Sequence, residues 1–295
     1  MEHFKSPFGT SDLASARAIE NRRFFDEVLD RARTHRYFSH PFMSCVDRTP
    51  PSREHVVFVL TSVYQLVSPF TALLCSLGGR APNLRSRFAL MDNIYEEMGC
   101  GDLDAAHPSL YLKMLASIGV TEEAADNMPT LPAIRRINDH LREVIERQHF
   151  SVACAMLAMA EVVIPPTFPV FIAMARSAFP HVDMTFFDRH GPRDEGHSDD
   201  ASMVFAISAD SAHFATVEAE LQRALDYRTE LFDEWMLAAT RDTFHTQATV
   251  SERPRRHRSV RPASVRPPSV RPPSVHPASV RPAANHHSAP PPPLR

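Results

Sequence analysis

Up to about residue 245, hydrophobic positions recur at helical spacing in one segment after another, and no segment alternates with the period of two that marks a strand. A first helix is expected to be capped by Ser11 and to carry Ala14, Ala18, Phe24, Val28 and Leu29 on its apolar side. Ser52 is placed to cap the run EHVVFVLTSVYQLVSPFTALLCSLGG, with a bend at Pro69 and a stop at Gly78–Gly79. NLRSRFALMDNIYEEMG reads as an amphipathic helix stopped at Gly99, and His107–Pro108 opens the next one, HPSLYLKMLASIG. INDHLREVIERQHFSVACAMLAMAEVV reads as one long helix ended by Pro165–Pro166. PTFPVFIAMARSAFP, a helix centred on Asp188–His197, and ADSAHFATVEAELQRALDYRTELFDEWMLAAT complete the series. Seven to eight helices joined by short links predict an all-α bundle.

The pattern ends abruptly. Five consecutive units, SVRPA, SVRPP, SVRPP, SVHPA and SVRPA, run from Ser259, and a proline in every unit suits neither helix nor sheet. The expected organisation is a helical domain over 1–248 and a disordered Pro/Arg-rich tail over 249–295. Residues 253–295 hold nine Arg and no Asp or Glu, so the net charge of -3 conceals a body at -12. A body that acidic does not suit nucleic acid, which leaves only the tail as a basic interaction segment.

Cys45, Cys75, Cys100 and Cys154 form no CxxC pair. Cys75 and Cys154 lie in apolar runs and read as small buried hydrophobes. The N-terminal residues lack the apolar core of a secretion signal. The apolar run from Val152, VACAMLAMAEVVIPP, is short for a bilayer span and contains Glu161. These features predict a soluble, cytoplasmic protein without a membrane partner.

Three groups of residues carry candidate chemistry. His190, Asp194 and His197 sit at i, i+4 and i+7, one face of a helix over two turns. They make either a polar surface face or an imidazole–carboxylate ligand set of the kind that suits Fe(II). Gly191 and Pro192 fall inside that helix and weaken its middle. Glu161 stands among apolar neighbours, where a carboxylate needs a metal or an ionic partner. Glu97 ends one helix and His107 begins the next, and the link through Gly99, Gly101 and Asp104 can turn both toward one centre.

IYEEMGCGDLDAAHPSL, AMLAMAEVVIPP and FFDRHGPRDEGH, in that order, resemble the haem-oxygenase-like diiron oxidases and oxygenases. That family shares its fold with haem oxygenase, TenA and PqqC. Its pattern is a carboxylate before a Gly-rich turn, a His opening HPxL, a Glu in a central apolar helix, and a late FFxxHxxxDxxH helix. The resemblance covers about residues 20–240, including His40-Pro41-Phe42 and Tyr64-Gln65. It implies a metal centre of Glu97, His107, Glu161, His190, Asp194 and His197, which would also be the catalytic residues, with Glu161 as a bridging carboxylate. It implies two Fe(2+) ions per chain, O2 as co-substrate and room for an external electron donor. Glu96, Asp188 and Glu195 are candidates for the additional carboxylate that some relatives use.

The function this implies is O2-dependent oxidation of a small molecule in natural product biosynthesis. N-oxygenation or oxidative C–C cleavage of an amino-acid- or amine-derived substrate leads. Arg189, Arg193 and Arg228 are candidates to meet a substrate carboxylate. A homodimer and a reductase remain open as partners. Two other readings stand beside it: a PqqC-like or TenA-like metal-independent enzyme of the same fold, and a non-catalytic binding protein acting through the basic tail. A haem enzyme would draw its axial ligand from His35 or His40, which leaves the late His/Asp cluster without a purpose.

Overall fold

The computed structural model describes residues 10–48, 50–190 and 194–240; the side chains of 10, 11, 48, 190, 194–200 and 240 are outside that description. The chain divides into two units, Met1–Glu252 and Arg253–Arg295. The repeat units and the expected disorder of the tail fall wholly outside the described residues.

The first unit is all helix among the described residues. Eleven helices of six residues or more follow in order: α1 Ala16–Ala32, α2 Arg53–Val67, α3 Phe70–Arg80, α4 Leu84–Glu97, α5 His107–Ser117, α6 Pro132–Arg147, α7 Phe150–Val163, α8 Phe168–Ala178, α9 Thr185–His190, α10 Asp194–Ser208 and α11 Phe214–Thr240. The single-turn α-helical segment Thr10–Leu13 precedes α1, and two more, Cys45–Arg48 and Glu122–Asp126, lie between the helices. The excess over the expected seven to eight comes from breaks inside long helical runs. Ser68 and Pro69 separate α2 from α3, Gln148 and His149 separate α6 from α7, and described helix stops at His190 and resumes at Asp194.

The capping chemistry is local and readable. Ser52 Oγ accepts from the His55 amide at 3.1 Å and Asn83 Oδ1 from the Ser86 amide at 2.9 Å, starting α2 and α4. At the N-terminus the expected cap moves: Ser15, not Ser11, caps α1, accepting from the Ala18 amide at 3.2 Å.

The helix expected from Ile137 to Val163 is in fact two. Gln148 is extended (ψ 167°), and α7 restarts after His149, whose side chain caps it through the Ser151 amide. The stabiliser of this break comes from far away in sequence. The Arg80 guanidinium donates to the carbonyls of Ile145 and Gln148, capping the end of α6. Arg80 ends α3, so that helix runs through the expected Gly78–Gly79 stop. Gly78 packs there against Ile94 of α4.

Helix α7 is the axis of the bundle. Every residue from Phe150 to Ala160 is buried, because α7 packs against α10, α11, α6 and α3 at once. His149 stacks on His213, just beyond the end of α10, with ring centroids 4.1 Å apart. Helices α7 and α10 pack along each other. They therefore run antiparallel, which puts the start of α10 beside the end of α7. Of the cysteines read as buried, Cys154 is so and Cys75 is exposed.

Arg53–Arg80 and Phe150–Ala178 are each long and apolar enough to cross a membrane by length and composition, so the run from Val152 is part of a longer stretch than the sequence suggested. Core helices pass the same test, and the second stretch contains the bundle axis.

Removing the Arg80 side chain should expose the end of α6. R80A is expected to lower stability by about 1.5–3 kcal/mol, the range for hydrogen bonds from a charged donor. A urea titration should show a lower midpoint with an unchanged slope.

Candidate metal centre

Two 3-10 turns, Gly99–Gly101 and Leu103–Ala105, and two helix ends decide where Glu97 and His107 go. Glu97 is the last residue of α4 and His107 the first of α5. Between them the chain reverses through three consecutive residues with left-handed backbone: Gly99 (φ 74°), Cys100 (φ 57°) and Gly101 (φ 90°). Tyr95 Oη donates to the Cys100 carbonyl at 2.7 Å, and Asp102 accepts from the Asp104 amide at 3.0 Å. Gly99 is required by space as well as by conformation. A Cβ there would lie 2.4 Å from the Ala106 nitrogen and 2.6 Å from the Ala105 carbonyl carbon.

This reversal brings Glu97 Oε2 to 2.7 Å from His107 Nδ1, with both residues buried. Phe186 of α9 meets the His107 ring edge-on at 6.1 Å and the Tyr111 ring at 4.8 Å. Phe186 and Phe187 are both buried, and α9 packs against α5.

Glu97 and His107 open onto a cavity of about 120 Å³. Glu161, near the end of α7, lines the same cavity. Its walls are otherwise mostly apolar, with Val63, Leu66, Phe70, Phe171, Leu231 and Phe232 prominent. Among the described residues, no group of three or more His, Cys, Asp or Glu lies close enough together to hold a metal ion.

The other three predicted ligands stand on backbone that is described and side chains that are not. His190 ends α9, while Asp194 and His197 begin α10. Gly191, Pro192 and Arg193, through which the single expected helix and its i, i+4, i+7 face would run, lie outside the described residues. Because α10 is antiparallel to α7, its start lies at the end of α7 that carries Glu161.

Of the candidates for an additional carboxylate, Asp188 is exposed, Glu96 is half-buried and does not line the cavity, and the Glu195 side chain is outside the description. His35 and His40 are engaged elsewhere at both ring nitrogens. Their Nε2 atoms lie 3.1 Å from Asp226 and 3.0 Å from Asp233, and their Nδ1 atoms accept from the Tyr37 and Phe42 amides. Neither ring has a nitrogen left for a haem.

Cavity residues that spacing alone did not single out are Tyr37, Asn138 and Trp235. Burial pushes the Tyr37 phenol up to about 12, against a smaller opposing effect of the Arg228 charge. Its O–H donates to the Val163 carbonyl at 3.0 Å. Trp235 donates to Ser62 Oγ at 2.8 Å, tying α11 to α2 across the bundle.

Residues 57–241 match the family described as iron-containing redox enzyme. A 4-chloro-allylglycine synthase of Streptantibioticus cattleyicolor is 26% identical over 141 residues, 47% of this chain and 52% of that protein. The chain thus spans about half the length of that curated relative. Solved structures share the fold at low identity. A CADD-like protein of Nostoc punctiforme superposes with a TM-score of 0.64 at 14% identity, over 75% of this chain and 99% of that one. A haem oxygenase-like domain of Shewanella denitrificans gives 0.58 at 18%, over 75% and 91%, and a TenA homologue of Pseudomonas syringae 0.56 at 15%, over 80% and 99%.

Two glycine substitutions separate the turn's role from general glycine effects. G99A is expected to destabilise the protein by on the order of 2 kcal/mol or more, since both backbone angle and space oppose it. G79A, in α3 with nothing within 4 Å of its would-be Cβ, should instead raise stability by about 0.5–1 kcal/mol. Thermal unfolding of the two variants beside the parent checks both signs.

Proposed function

The chain belongs to the family of iron-containing redox enzymes, and on that premise we propose that it is a non-haem diiron, O2-dependent oxidase or oxygenase acting on a small molecule. The carrying observation is the buried Glu97–His107 pair, 2.7 Å apart on the wall of a cavity that Glu161 also lines. The donors of the described residues suit iron chemically, although as they stand no three of them lie close enough together to hold an ion. An imidazole nitrogen and two carboxylates facing one largely apolar cavity are the mixed nitrogen–oxygen set that non-haem iron takes. Glu97, His107 and Glu161 would hold iron together with His190, Asp194 and His197, giving three imidazoles and three carboxylates for two Fe(2+) ions.

Iron bound there would supply O2 activation and the oxidising power. The protein's own contribution is geometry and enclosure. The Gly99 turn fixes Glu97 against His107 before any ligand arrives, and Phe186 limits the tilt of the imidazole. Phenylalanines from α8, α9 and α11 keep bulk water from the cavity. The Tyr37 proton is committed to the Val163 carbonyl, so this phenol shapes the cavity and is not the proton donor of the reaction.

An amino-acid- or amine-derived substrate belongs to this reading, supported by the relative named for 4-chloro-allylglycine. So do a cytoplasmic setting, a role in natural product biosynthesis, a homodimer and an external reductase. A TenA-like hydrolase would draw its nucleophile from a cysteine. Cys154 is fully buried and its thiol is pushed well above the ordinary range by burial, which leaves no reactive thiolate there.

Full-length protein loaded anaerobically with Fe(2+) and desalted should retain about two irons per chain, measured by elemental analysis. H107A and E97A should each lose most of the iron at one position, and E161A should deplete both if that carboxylate bridges. Ratios near two in all three variants would refute the site.

A further inference from the structure

Arg228 stands in the apolar stripe of α11, between Leu221, Leu225, Leu231, Phe232 and Trp235, all buried. It lines the cavity that Glu97, His107 and Glu161 line. Among the described residues it makes no ion pair and no hydrogen bond, and its electrostatic neighbour is Tyr37. Tyr37 is not a counter-ion, because its phenol stays protonated and donates to Val163. Burial pulls the guanidinium below its ordinary value, yet arginine keeps its charge in proteins. Arg228 is half-buried, and a guanidinium that faces an apolar cavity with no anion beside it among the described residues is unfavourably placed. Of the three arginines with a candidate role at a substrate carboxylate, Arg189 is exposed and Arg193 lies outside the described residues.

A cation in the wall of an otherwise apolar, aromatic-lined cavity is complementary to one kind of guest: an anionic head on an apolar body. We propose that Arg228 is the carboxylate-binding residue of the substrate site, and that the substrate is a small carboxylic acid whose apolar body fills the cavity. The inference rests on the oxidase reading in one respect, that the substrate shares the cavity with the proposed donor set. Arg228 takes the acid group by a bidentate pair, and Phe171, Leu231 and Phe232 take the body. The body then extends from a fixed end toward the wall that carries Glu97 and His107.

The protein contains its own probe. Trp235 is its single tryptophan and lines this cavity. Hexanoate, hexanamide and acetate should be titrated anaerobically into the full-length protein as isolated, with Trp235 emission as the readout and metal content measured in parallel. Hexanoate should give a saturable change, and hexanamide and acetate should each bind at least tenfold more weakly. R228Q should weaken hexanoate at least tenfold and leave hexanamide unchanged, with R228K intermediate. Equal binding of hexanoate and hexanamide by the parent would overturn the proposal, as would no saturable response to hexanoate. Undiminished hexanoate binding by R228Q would also overturn it, since the acid would then be held by another group. If R228Q does not fold, the acid–amide comparison in the parent decides. A protein that binds hexanoate through Arg228 but takes up no iron keeps this inference and loses the oxidase reading. A protein that takes up iron but does not prefer the acid loses this inference alone.

Discussion

A carboxylate and an imidazole buried 2.7 Å apart at the edge of an apolar cavity are the constraint around which the rest of this bundle is arranged. Burying either group alone would be unfavourable. Holding them together requires a helix to end and another to begin within ten residues, with the chain doubled back tightly enough that Gly99 touches the backbone of Ala105 and Ala106. No side chain fits at that contact. The fold meets this demand with three successive left-handed residues, one of them Cys100, steadied by Tyr95 from the preceding helix. The strained turn is thus tied to the polar pair it positions.

The cavity beyond the pair is polarised. Carboxylates and an imidazole come from α4, α5 and the end of α7, and a single guanidinium comes from α11. Aromatic and aliphatic side chains make up most of the rest of the lining among the described residues. In a low-dielectric enclosure the field between such groups is weakly screened, so a guest with one charged end has one favourable orientation. Helix α7 makes this arrangement rigid. It is buried all round, and the helices it packs against include α11, which carries Arg228.

Much of this was legible in the sequence where the determinant was local. Helical spacing, Ser52 as a cap, the Pro69 bend and the His107–Pro108 start all follow from residues within a few positions of the feature. The Glu97–His107 approach was foreshadowed by the glycines between them. What was not legible depends on distant partners. The polar run Glu146–His149 contains no glycine or proline to announce the break between α6 and α7; His149 caps the start of α7, and the cap for the end of α6 arrives from Arg80. Gly191 and Pro192 were read as weakening one helix, and they lie outside the described residues, which stop at His190 and resume at Asp194. Arg228 was one of three arginine candidates for a substrate carboxylate that the sequence did not rank, although it interrupts the stripe from Leu221 to Trp235. A charged residue at a core position of an amphipathic helix was the available signal.

The central claim is that Glu97, His107 and Glu161 face a common iron centre. Anomalous scattering at the iron edge, from crystals of the full-length protein loaded anaerobically with Fe(2+), tests it most directly. The account predicts iron density within the cavity, with His107 Nδ1 and the Glu97 and Glu161 carboxylates among its ligands. Iron density away from this cavity, or a fully loaded crystal in which none of these three side chains touches iron, would contradict it.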